Sequence, residues 1–131
     1  MSRIFLDTNI LLYTLGDEKR AIRARRALLD GYAISVQVLN EFASVVRQNQ
    51  ILRDEEIWEV ESRFRQLLVV LPLTIELHDA GLRLSTRYGF HFYDSLIVAA
   101  ALETQCDVLL TEDLQHHQRI EGALRVVNPF R

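Results

Sequence analysis

The residues best able to do chemistry in this chain are four acids, Asp7, Glu41, Asp94 and Asp113. Asp7 closes the apolar run Ile4-Phe5-Leu6, and Asp113 comes shortly after Val108-Leu109-Leu110. Glu41 borders an apolar stripe of Val38, Phe42 and Val45 at helical spacing. Asp94 opens the most apolar segment, which holds Leu96 to Leu102. Taken singly, each has an ordinary role. Asp7, Asp94 and Asp113 serve as helix caps or dipole partners, and Glu41 as a solvated edge residue. Taken together, four carboxylates brought within a few ångströms repel one another and must bind protons or cations. The donors are all oxygen, without paired Cys or spaced His, which selects hard ions such as Mg²⁺ or Mn²⁺. Two such ions about 4 Å apart activate a water and stabilise the leaving oxygen of a phosphodiester. Thr8, Asn9 and Thr111 stand beside the acids and are able to orient carboxylates, waters or phosphate oxygens.

For these acids to meet, the chain must bring distant segments to one edge. Short apolar runs at Arg3–Leu6, Tyr32–Ile34, Leu68–Leu71, Val108–Leu110 and Leu124–Val127 have the continuous pattern of strands buried on both faces. Helical patterns separate them. They cover Asn9–Leu15, Asp17–Asp30, a stretch capped by Ser35 and running to Gln48, and Glu55–Gln66 capped by Asp54. A further helix is capped by Thr74 and runs through Tyr88 to a C′ glycine, Gly89, and another covers Tyr93–Thr104. The alternation predicts a three-layer α/β/α domain with a central, mainly parallel five-stranded sheet, occupying residues 1–131 as a single domain. Such sheets bind ligands outside the carboxyl ends of their strands. That rule selects Asp7-Thr8-Asn9 after the first strand, Ser35 after the second and Thr111-Glu112-Asp113 after the fourth.

Composition bounds the partners. Hydrophobic residues make up 49% and charged residues 25%, the balance of a folded globular chain. The longest apolar stretch is far short of a membrane span, and the N-terminal apolar run is too short for a signal peptide. The single cysteine, Cys106, excludes an internal disulfide and a Cys-based zinc site, and points to a reducing cytoplasm. The formal net charge is −3, which at first argues against nucleic acid. Yet 14 of the 15 basic residues are Arg, whose planar fork suits phosphate, although a compositional bias of the source genome gives the same excess. The densest basic segment holds Lys19, Arg20, Arg23, Arg25 and Arg26. Lys19, Arg23 and Arg26 share one helical stripe opposite Ala21, Ala24 and Leu28. Such stripes are usually solvated faces; in a nuclease this one is the candidate for RNA phosphate contact.

The motifs fall in a familiar order. Phe5-Leu6-Asp7-Thr8-Asn9, Gln37-Val38-Leu39-Asn40-Glu41-Phe42 and Tyr93-Asp94-Ser95-Leu96-Ile97-Val98-Ala99-Ala100 come first. Leu110-Thr111-Glu112-Asp113-Leu114-Gln115-His116 and Val126-Val127-Asn128-Pro129-Phe130 follow. This ordered set, spanning nearly the whole chain, resembles the PIN-domain family, in particular VapC-type toxins of prokaryotic toxin–antitoxin pairs. The resemblance implies a Mg²⁺- or Mn²⁺-dependent endoribonuclease with two ions per active site, cytoplasmic, homodimeric and inhibited by a cognate antitoxin. Transfer RNA and ribosomal RNA are both plausible substrates for such toxins. The family's acidic positions carry over to Asp7, Glu41, Asp94 and Asp113, and its Ser/Thr-x-Asp element matches Thr111-Glu112-Asp113. One departure is His116-His117, where relatives often have His-Gly.

A phospho-acceptor receiver module needs an acidic pair after the first strand and a Lys after the fifth; here Asp7 is followed by Thr8-Asn9, and the sole lysine is Lys19. A haloacid-type phosphatase would need an acid where Asn9 stands. A PIN fold used only for RNA or protein binding has the same motifs, because filled ligand positions do not prove assembled geometry. His78, His91, His116 and His117 lack metal spacing. Of Tyr13, Tyr88, Phe90, Phe92 and Tyr93, most are expected in the core rather than stacked on bases. Trp58 is assigned either to the core or to a partner surface. Assigning four of the 18 acids to a metal site leaves +1 on the remainder, so the acidic pI of about 5.8 does not count against RNA.

Overall fold

The computed structural model describes residues 2–131. Its elements in chain order are β1 (Ile4–Leu6), α1 (Thr8–Tyr13), α2 (Lys19–Asp30), β2 (Ala33–Ser35), α3 (Val36–Gln48), α4 (Asp54–Leu67) and β3 (Val69–Leu71). These are followed by α5 (Ile75–Tyr88), α6 (Phe92–Glu103), β4 (Val108–Leu110), β5 (Arg119–Ile120) and β6 (Leu124–Val127). The strands form one sheet in the order β3-β2-β1-β4-β6-β5. Every pair is parallel except β5 with β6. The sheet therefore has six strands rather than the expected five. The extra strand, β5, is a two-residue antiparallel edge whose brevity hides it from any apolar pattern.

β1 is central, and the chain first builds outward on one side of it through β2 and β3, then crosses to β4 on the other. The carboxyl ends of β1 and β4 thus flank the switch point where such sheets bind ligands. The core runs through Phe5, Leu6, Ile34, Leu109 and Val126 in the strands and through Val38, Phe42, Ile97 and Ala100 in the helices. α6 is buried without a break from Ser95 to Ala101, as its apolar sequence predicts. Its close neighbour is α5, where Gly81 leaves room for Leu96: a Cβ on Gly81 would lie 2.7 Å from Leu96 Cδ2. Replacing Gly81 with valine is expected to lower stability by about 1–3 kcal/mol by overpacking this contact, measured by urea unfolding.

Several boundaries shift for local reasons. α2 starts at Lys19, not Asp17, with Glu18 at its N-cap. Asp54 is the first residue of α4 and not its cap; Arg53 occupies the cap, and its N–H donates to Glu56 Oε1 at 2.9 Å. The freed Asp54 carboxylate pairs with Arg47 at 3.1 Å. α6 starts at Phe92, one residue early, because the His91 ring accepts a hydrogen bond from Tyr93 N–H. Ser35 and Thr74 cap their helices as expected, and Gly89 closes α5 in the left-handed conformation (φ 76°) that a side chain would oppose. Trp58 is 78% exposed, which removes it from the core. Among the described residues no helix is long and apolar enough to cross a membrane.

Candidate active site

Strand register builds the floor of the site. Leu6 and Leu110 are registered partners on β1 and β4, so the next residues, Asp7 and Thr111, emerge side by side. Asp7 N–H donates to Leu110 O at 3.0 Å, which extends the ladder to the site itself. The Thr111 hydroxyl donates to Asp7 Oδ2 at 2.7 Å, and Thr8 N–H donates to Asp7 Oδ1 at 2.7 Å. Asp7 is indeed the N-cap of α1, but its side chain reaches only the adjacent N–H rather than the second or third of the helix. It is 5% exposed, and burial pushes its carboxyl from an ordinary 3.8 up to about 7, against the lowering effect of those two hydrogen bonds. The negative charges of Asp113 and Glu41 add to the rise.

The remaining acids come from three other elements. Half-buried Glu41 on α3 is held by two donors: Thr8 Oγ1 to Oε1 at 2.7 Å and Gln37 Nε2 to Oε2 at 3.1 Å. Asp113, exposed on the loop after β4, accepts from Asn9 Nδ2 at 3.0 Å, and its own N–H donates to Thr111 Oγ1 at 3.1 Å. Asp94 lies in the first turn of α6; its carboxyl is raised by burial first, then by repulsion from Asp113 and Glu41, with His91 acting the other way. Thus Asp113 and Glu41 act electrostatically on both Asp7 and Asp94 at the carboxyl edge of the sheet. Among the described residues no three His, Cys, Asp or Glu side chains are grouped closely enough to hold an ion.

Thr8, Asn9 and Thr111 are where the sequence places them, each bonded to an acid. Asn9 Nδ2 also lies 3.5 Å from Thr111 Oγ1, while Asn9 Oδ1 is buried without a partner. The Ser95 hydroxyl, next to Asp94, is likewise buried and unpaired. Oxygen-only donors, repelling carboxylates and an orphaned amide oxygen fit a hard divalent cation. Two groups were missed by sequence reasoning. Gln37 stands four residues before Glu41, the helical spacing of an amide–carboxylate pair, and that spacing was the available signal. Tyr13 donates to Glu112 Oε1 at 2.7 Å and accepts from Arg20 at 2.9 Å, a link across distant segments with no local signal.

The basic stripe is only partly as expected. Ala21, Ala24 and Ala27 are the buried face of α2, with Leu28 half-buried. Lys19, Arg23 and Arg26 are exposed. Arg23 donates to Pro129 O at 3.1 Å, while Arg25 braces the α1–α2 connection by donating to Thr14 O and Gly16 O. His116 accepts from Asn128 N–H at 2.9 Å, which gives the first of the two adjacent histidines a structural task; His117 is exposed with a positive φ of 69°. That is a conformation in which a glycine is unstrained.

Fold and site together define an α/β domain with acidic side chains at the carboxyl edge of a mainly parallel sheet, beside its switch point. The chain belongs to the PIN domain family, whose profile matches residues 4–122. Solved structures share the fold. A toxin–antitoxin complex from Klebsiella pneumoniae matches with a TM-score of 0.68 at 22% identity, covering 98% of this chain and 98% of that one. VapBC2 from Rickettsia felis, bound to a DNA fragment from its promoter, matches with a TM-score of 0.68 at 19% identity, covering 95% and 98%. VapC20 from Mycobacterium tuberculosis, described as a sarcin–ricin loop cleaving toxin, matches with a TM-score of 0.68 at 18% identity, covering 84% and 91%. No curated protein sequence matches the chain.

Proposed function

We propose that this chain is a Mg²⁺- or Mn²⁺-dependent endoribonuclease, the toxin of a toxin–antitoxin pair, acting as one domain in the cytoplasm. The observation that carries the reading is Asp7: a buried carboxyl, oriented by Thr111 and Thr8 and acted on by the charges of Asp113 and Glu41, while among the described residues no Lys or Arg is bonded to Asp7, Glu41, Asp94 or Asp113. Such a group lacks a counter-charge, and divalent ions supply one. Asp7, Glu41, Asp94 and Asp113 would hold them. Bound there, divalent ions lower the pKa of a water and stabilise charge on a scissile phosphate. Thr111 fixes the Asp7 oxygen that faces it and the backbone of Asp113, and Thr8 and Gln37 fix both oxygens of Glu41. Asn9 holds Asp113. A cognate antitoxin partner and a homodimer fit the company of toxin–antitoxin complexes that share the fold.

The test is cleavage of purified RNA by the purified chain with Mn²⁺ or Mg²⁺, followed by mapping of the cut ends. Metal-dependent cleavage lost on chelation is expected; absence of cleavage under every divalent ion would overturn the reading. Expression with and without a small neighbouring gene tests the toxin role, growth arrest relieved by that gene being the expected result. Thr111→Val is expected to keep the fold but lower cleavage by about 10–100-fold, since it frees Asp7 Oδ2 and the Asp113 backbone together. Initial rates at saturating Mn²⁺ check this.

A further inference from the structure

A shallow cleft of about 240 Å³, lined by Lys19, Arg20, Arg23 and Phe130, opens between the start of α2 and the C-terminal segment. It is linked to the acidic residues through α1. Asn9 and Tyr13 stand one helical turn apart on that helix; Asn9 holds Asp113, and Tyr13 bonds Glu112 next to it. Tyr13 in turn accepts from Arg20, so one face of α1 leads from the carboxylates to the cations.

The guanidiniums are placed by neutral partners. Arg20 donates to the Tyr13 phenol and lies over the Tyr13 and Phe130 rings at 5.3 and 5.8 Å from their centroids. Arg23 donates to Pro129 O, and the Phe130 ring is propped edge-on against Tyr13 at 4.9 Å. None of these partners carries a negative charge. Among the described residues Lys19, Arg20 and Arg23 have no carboxylate within ion-pair distance, whereas Arg47, Arg53, Arg63 and Arg87 each do. Two guanidiniums are therefore oriented and, with exposed Lys19 beside them in the cleft, left without an ion pair next to a site that handles phosphodiesters on the reading above. An Arg fork held in place loses little freedom on taking a phosphate oxygen.

We propose that Lys19, Arg20 and Arg23, walled by Phe130, form a backbone-phosphate subsite for the RNA strand entering the acidic site. The proposal rests on the nuclease reading. It replaces the helical stripe of Lys19, Arg23 and Arg26 with a cleft that includes Arg20 and leaves Arg26 outside. The C-terminal Asn128-Pro129-Phe130 segment acquires a role as well: Pro129 O aims Arg23, and Phe130 closes the wall.

The test separates binding from cleavage by placing every variant in an Asp94→Asn background and titrating a labelled single-stranded RNA with Mg²⁺ at several salt concentrations. Arg20→Gln/Arg23→Gln is expected to weaken binding roughly tenfold or more at low salt. It should also reduce the slope of log affinity against log salt by about 1.4, the value for two lost phosphate contacts on a single strand. The corresponding Arg→Lys pair should restore most of both. Lys19→Gln, which breaks no intramolecular bond, should reduce the slope by about 0.7 even if the double variant is unstable. Arg63→Gln, on α4, should change neither quantity. Unchanged affinity and slope in the Gln variants, with cleavage intact in the otherwise wild-type chain, would overturn the subsite and leave the nuclease standing. The subsite also falls if the Gln variants bind RNA normally but lose a protein antitoxin. A chain that cuts no RNA under any divalent ion, yet binds it through these cations with the expected slopes, would retain the subsite and lose the nuclease.

Discussion

Asp7→Asn should abolish RNA cleavage and, above neutral pH, make the metal-free protein more stable than wild type. The two effects share one cause. Burial raises the Asp7 carboxyl from 3.8 to about 7. Below 3.8 folded and unfolded chains both hold the proton, and there is no penalty. Between 3.8 and about 7 the folded chain holds it while the unfolded chain has released it, so stability falls as pH rises. Above about 7 the charge is present in both states and the penalty is complete. A shift of about three units at 1.4 kcal/mol each is on the order of 4 kcal/mol. Asparagine has no charge to desolvate but accepts one hydrogen bond where the carboxylate accepts two, so a net gain of about 2 kcal/mol is expected at pH 8. That corresponds to a rise in Tm of about 5–10 °C, with little change near pH 4. Cleavage should fall by roughly 10³-fold or more, because metal stabilisation of charge is worth several kcal/mol. Mn²⁺ should raise the Tm of wild type and not of the variant. A variant less stable than wild type at pH 8 would show that the carboxylate has a counter-charge in the metal-free chain.

Asp94→Asn should be the cleaner inactivation. Among the described residues the Asp94 carboxylate accepts no hydrogen bond, so the amide breaks none of them. Its carboxyl is already raised by burial and by Asp113 and Glu41. Removing the charge relieves that repulsion and forgoes a favourable place in the first turn of α6. These oppose each other, and Tm should stay within about 2 °C of wild type. Cleavage should fall by roughly 10³-fold, with RNA binding retained through the proposed Lys19, Arg20 and Arg23 subsite. Comparable cleavage by variant and wild type at saturating Mn²⁺ would remove Asp94 from the site.

Much of this was legible because it is written in local pattern. Continuous apolar triplets such as Ile4-Phe5-Leu6 read as buried parallel strands, and residues just past them fall at the switch point by a rule that needs no coordinates. Ser35, Thr74 and Gly89 announced helix ends by their own chemistry. Where the reading slipped, a long-range or backbone partner decided. Asp54 looks like a cap, but Arg47 takes its carboxylate and Glu56 bonds the preceding N–H instead. β5 is too short to show a period and exists because Arg119 and Ile120 fold back on β6. Helical projection grouped Arg26 with Lys19 and Arg23, all three exposed as expected, but it does not show that Tyr13, Pro129 and Phe130, from outside the helix, hold Arg20 and Arg23. A projection contains only one element, and a cleft needs several.

The pairing of Leu6 with Leu110 also sets a reading frame for the chemistry. Successive strand residues alternate faces, so a one-residue insertion or deletion in β1 or β4 would turn Asp7 or Thr111 toward the opposite side of the sheet. Two residues would restore the face but displace the hydroxyl from the carboxylate by about 7 Å. Length changes should therefore be tolerated unevenly along the chain. The α1–α2 connection at residues 14–18 lies outside this frame, and the three-residue strands of β1 and β4 are its fixed ruler.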